Sequence, residues 1–112
     1  MGPPGPAGPI AEKPATQVPI TGGQIVGYGS TSVTVRRSGN VVTLDGAYSF
    51  DSSYKTGATL CTLPEWARPR EVLYRRTYDQ YRLIVLTTGE VKIYDGTPGQ
   101  TGKRVSEIWL GA

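Results

Sequence analysis

Histidine is absent from the 112 residues. Its absence removes the commonest general base, the Ser-His-Asp and Cys-His arrangements, and most zinc and iron sites. Cysteine occurs once, at Cys61, so no disulfide forms within the chain and no metal site is built from cysteine pairs. Its setting, Ala58-Thr59-Leu60-Cys61-Thr62-Leu63, suits a small buried apolar side chain better than a reactive thiol. No apolar run is long enough to cross a bilayer, and Met1 leads straight into Gly-Pro-Pro without the basic start and apolar stretch of a secretory leader. Neither metal, cofactor nor membrane insertion is expected, and export would follow assembly inside a cell and lysis. Charge of one sign is also scarce: 12 Lys and Arg against 9 Asp and Glu leave a net +3, which favours anionic partners without demanding them.

Glycine and proline are plentiful, at 15 and 9. Residues 2–10 read Gly-Pro-Pro, Gly-Pro-Ala, Gly-Pro-Ile: three Gly-X-Y triplets with Pro3, Pro6 and Pro9 at X. Only glycine fits at the crowded axis of a collagen helix, so such triplets imply three chains wound together. Three triplets are too few to hold a trimer, so residues 1–10 read as the collagen-like stump of a longer stalk. Residues 11–21, with Pro14 and Pro19 and little periodicity, read as an extended linker or a strand-like arm that could cross to a neighbour.

Residues 22–112 read as a β-structured head. Short runs rich in Val, Ile, Thr and Tyr alternate with Gly, Asn, Asp and Ser, and no segment has a helical period. Val33 and Val35 alternate with polar neighbours, Ser38-Gly39-Asn40 turns the chain, and Val41 to Leu44 returns it. Tyr48 and Phe50 would share a face, Ala58 to Leu63 forms a strand stopped by Pro64, and Tyr81 to Leu86 joins Val91 to Tyr94 through Thr87-Thr88-Gly89-Glu90. Val105 to Leu110 closes the chain. The expected fold is all-β, a small antiparallel sandwich or barrel. Leu83, Ile84, Val85 and Leu86 are apolar on both faces of their strand, which places the subunit interface of a homotrimer there, the alternative being cover by a loop of the same chain.

Leu63-Pro64-Glu65-Trp66-Ala67-Arg68-Pro69, followed by two strands and Leu83 to Ile93, resembles the C-terminal head modules of tailed-phage tail-fibre and receptor-binding proteins. The resemblance covers about a third of the head. It implies a homotrimeric β-structured head on a virion tail fibre or baseplate tip, joined through its stalk to other tail proteins. Its implied partner is a host cell-surface polysaccharide or a teichoic-acid-like polymer.

Aromatic and cationic side chains interleave in Tyr74-Arg75-Arg76-Thr77-Tyr78-Asp79-Gln80-Tyr81-Arg82. Aromatic faces stack on sugar rings, and Arg forks bind phosphate or carboxylate. Strand alternation puts Tyr74, Arg76 and Tyr78 on one face, and with Tyr81 and the loop residue Trp66 they form the candidate saccharide site. The competing reading packs the tyrosines at a subunit boundary and closes a core with Trp66. Arg36-Arg37 and Lys103-Arg104 read as solvated basic pairs, and Asp95 to Lys103 as a flexible hairpin or apical loop rather than a phosphate-binding loop. A purely structural trimerisation module and a hydrolytic head with two carboxylates ~5–10 Å apart are the rival functions. Nucleic acid comes last, because nearby acids balance the basic residues.

Overall fold

A computed structural model describes residues 12–77 and 79–112, and within them the chain is all-β, nine antiparallel strands in two packed sheets. The Gly-X-Y residues and Tyr78 lie outside the described residues. Val33 and Val35 point inward from β3 (Ser32–Ser38), while the pairing of Thr34 to Asp45 and Ser38 to Val41 sets its register on β4 (Val41–Phe50). On its other side β4 pairs with β9 (Lys103–Leu110), from Val41 opposite Leu110 to Tyr48 opposite Lys103. β2 (Ile25–Gly27) continues the line of β3 along the end of β4, and β1 (Glu12–Pro19) borders β3. The second sheet runs β5 (Ala58–Thr62), β8 (Glu90–Tyr94), β7 (Arg82–Val85), β6 (Leu73–Arg76). Both expected hairpins, β3–β4 and β7–β8, are present.

The inner faces meet in one apolar core. Val33, Val35, Val42, Leu44, Tyr48, Phe50 and Trp109 come from the first sheet, and Leu60, Leu83, Val85, Val91 and Ile93 from the second. Each fully buried Val, Leu or Ile contributes about 1.5–3 kcal/mol. Phe50 centres an aromatic cluster, with Tyr48 edge-on at 5.5 Å, Tyr81 edge-on at 5.0 Å and Tyr54 tilted at 4.5 Å. Gly46, on the inward row of β4, is where β3 crosses closest: a Cβ there would lie 2.6 Å from Val33 Cγ1. Cys61 is fully buried, and burial pushes its thiol up to about 12, so it packs as an apolar side chain.

Several expectations change. Glu12–Pro19 is a strand of this chain's own sheet with Val18 buried, so the domain takes in most of the stretch read as an arm. Leu83 and Val85 are fully buried in the chain's own core. Of that strand only Ile84, together with Leu86 just beyond it, is left for another chain, because strand alternation sends the other two inward. Of the two readings of the segment from Asp95 to Gly102, hairpin or apical loop, the loop holds: it crosses from β8 to β9, which lie in different sheets, and Phe50 exchanges main-chain hydrogen bonds with Gln100 and Gly99. Arg37 is not solvated either, because it falls on the inward parity of β3 beside Val33 and Val35.

Arg37 closes one end of the sandwich. It is 3% exposed; its Nε donates to Gly39 O at 2.8 Å, and one terminal nitrogen donates to Trp66 O at 2.9 Å and Ala112 O at 3.1 Å. The turn Glu65–Ala67 is thereby fixed to β3, and Trp109 Nε1 donates to Ala67 O at 2.9 Å from the other side. Arg37→Ala is expected to lower the unfolding free energy by about 3 kcal/mol, because three partly buried hydrogen bonds from one buried guanidinium are lost together. The neighbouring exposed Arg36→Ala should change it by less than about 0.5 kcal/mol. Urea unfolding midpoints, at an unchanged denaturant slope, check both.

Candidate functional site

Parity on the second sheet decides which polar side chains share its outer face. Leu83 and Val85 point inward, so Arg82 and Ile84 point outward, and their partners follow. Tyr74 pairs with Ile84 and Arg76 with Arg82 on one side; Lys92 pairs with Ile84 and Tyr94 with Arg82 on the other. Two rows result: Tyr74, Ile84, Lys92, and Arg76, Arg82, Tyr94. Each spans about 10 Å at the usual strand spacing.

Arg82 Nε donates to Asp95 Oδ2 at 2.6 Å, and its guanidinium lies over the Tyr94 ring, 5.4 Å from the centroid. The hydrogen bond from Arg82 first, then its charge and that of Arg76, holds the Asp95 carboxyl below the usual carboxylate range. Gly57 lets the Tyr94 ring lie close, since a Cβ there would sit 3.1 Å from Cε2. Tyr94 is thus packed in place. Lys92 Nζ donates to Thr59 Oγ1 at 3.0 Å and lies 3.9 Å from Glu90. Beyond Thr59 the face runs into a polar depression of about 320 Å³ lined by Gln24, Lys55, Thr56 and Thr59.

Tyr74 differs from its neighbours. It is 72% exposed, and among the described residues no ring or cation stacks on it. Arg76 donates to Gln80 O at 2.9 Å and has no carboxylate partner among the described residues. A flat aromatic face beside an unpaired guanidinium can stack on a sugar ring and bind an anionic group within one strand's length.

Of the residues singled out in the sequence, Tyr74 and Arg76 come together. Tyr81 does not join them: its ring turns onto Phe50 and its hydroxyl donates to Gln100 Oε1 at 2.7 Å. Trp66 sits on the Glu65–Ala67 turn, half-buried against the core and tied through its carbonyl to Arg37. Tyr78 lies outside the described residues. Lys92 and Tyr94 were missed, although the alternation Val91-Lys92-Ile93-Tyr94 puts both on one face. What placed them beside Tyr74 and Arg76 was the pairing of β8 with β7. Comparison with protein-family models finds no match, and comparison with curated proteins finds none.

Arg75, on the opposite parity, turns inward and approaches Glu107 of β9 at 4.0 Å. Burial raises the Glu107 pKa above its ordinary 4.5, and Arg75 only partly offsets this. A carboxyl whose pKa rises on folding holds its proton more tightly when folded, so its ionisation costs stability as pH rises through and above the ordinary carboxyl range. Glu107→Gln is therefore expected to raise the unfolding temperature near neutral pH and to leave it unchanged near about pH 3, where the carboxyl is protonated folded and unfolded. Thermal unfolding followed across that range checks the sign.

Proposed function

We propose that the chain is the receptor-binding head of a phage tail fibre, which binds an anionic host-surface saccharide polymer as a homotrimer. The exposed, unstacked Tyr74 beside Arg76, on a face that continues to Lys92 and the polar depression at Thr59, carries this reading. Tyr74 is the stacking platform for a sugar ring, Arg76 the anion fork, and Lys92 a further positive charge along the polymer. The Gly-X-Y triplets and the likeness of the Leu63 to Ile93 region to tail-fibre heads support it. Three shallow sites per trimer and many trimers per virion would convert weak single-site binding into firm attachment.

The engagement of Arg82 by Asp95 favours a second reading, a trimerisation module with no ligand of its own. Binding of the purified chain to host cell-wall polymer, followed by surface plasmon resonance at two salt concentrations, separates the two. Tyr74→Ala is expected to weaken binding about tenfold, equivalent to about 1.4 kcal/mol. Arg76→Ala should weaken it and flatten its salt dependence. Absence of binding by the native chain to every host polymer tried would sink the receptor-binding reading.

A further inference from the structure

Glu12, Ser38, Val41 and Leu110 stand opposite one another in a single row across the five-stranded sheet. The row lies on the outer face and spans about 14 Å at the usual strand spacing. Arg36, Thr43 and Ile108 form the next row. Ile108 is 60% and Leu110 54% exposed, and their strand, β9, pairs along one side only among the described residues. A long edge strand with exposed apolar side chains invites association unless something covers it.

Beside this ridge lies a groove of about 340 Å³ between β3 and β4, lined by Arg36, Ser38, Val41, Thr43 and Asp45. Thr43 Oγ1 in it is buried and has no hydrogen-bond partner among the described residues. Arg36 and Asp45 are exposed, carry opposite charges, and have no ion-pair partner among the described residues.

We propose that this face joins copies of the chain into the trimer, with the Ile108 and Leu110 ridge of one copy seated in the Thr43 groove of the next. The place where the chain enters the sheet identifies the occupant. In the trimeric reading a Gly-X-Y stalk would bring three chains to one axis, and Glu12, two residues after the last triplet, opens the row that ends at Leu110. Three heads leaving one axis therefore meet at this end of the sheet, where Ile108 and Leu110 are exposed. A ridge fitting a different groove is a heterologous contact, which closes into a ring under threefold rotation. Arg36 and Asp45 supply a polar rim, and the inference rests on the trimeric reading above while moving the contact from β7 to β9.

Light scattering of the full chain tests it. The native chain is expected at three times its 12.0 kDa mass. Ile108→Glu with Leu110→Glu should reduce that to a single chain with an unchanged circular dichroism spectrum, and Ile84→Glu with Leu86→Glu should leave the trimer intact. If the glutamate pair at β9 unfolds the chain, the milder Ile108→Ser with Leu110→Ser decides, with trimer dissociation expected at about tenfold or more higher protein concentration. A trimer that survives the β9 substitutions, or that is lost with the β7 pair instead, overturns the interface and leaves the trimeric reading standing. A native chain that is monomeric at every concentration overturns both.

Discussion

Strand β4 pairs on both sides, with β3 and then β2 along one edge and β9 along the other, and its inward row is the surface on which the second sheet closes. Val42, Leu44, Tyr48 and Phe50 occupy that row, with Gly46 at the one position where Val33 leaves no room for a side chain. The parity of this strand decides much else. Shifting it by one residue would expose Phe50 and turn Thr43 and Asp45 inward, so the core, the aromatic cluster and both flanking registers depend on it together. The crossover from β8 to β9 depends on it too, since Gln100 and Gly99 bond to the Phe50 main chain.

Because the core takes one face of each sheet, the other faces are left to act, and they differ in chemistry. The four-stranded sheet turns out Tyr74, Arg76, Arg82, Lys92 and Tyr94, an aromatic and cationic surface with most of its charges locally paired. The five-stranded sheet turns out Ile108 and Leu110 beside a groove rimmed by Arg36 and Asp45. In the proposed arrangement the first meets a host polymer and the second meets copies of the chain. The same division explains why Leu83 and Val85 offer no exposed surface: their side chains are already used within the core of one chain.

Much of the strand architecture could be read from short-range pattern. Hairpins at Ser38-Gly39-Asn40 and at Thr87 to Glu90, the stop at Pro64, the shared face of Tyr48 and Phe50 and the buried Cys61 all follow from alternation and turn residues within a few positions. The candidate site was only half legible. Tyr74 and Arg76 are two apart on one strand, so alternation finds them, whereas Lys92 and Tyr94 reach them only through cross-strand neighbours. Tyr81 follows the turn after Asp79 and Gln80, and it swings onto Phe50, a contact that spans 31 positions. Arg37 misled for a related reason: a cation in a charged pair looks solvated until strand parity and three carbonyl oxygens place it inside.

What the residues by themselves determined is the β character of the chain, its hairpins, and its lack of histidine and of a disulfide within the chain. Those properties are local, set by backbone preference, side-chain alternation and composition. Only the tertiary structure decided which strand lies beside which, that residues 12–19 belong to the sheet, that Trp66 and Tyr81 serve the core, and that Ile108 and Leu110 stand uncovered on an edge strand. Pairing between distant strands is chosen by the collective burial of both inner faces, and no short stretch of sequence contains that sum.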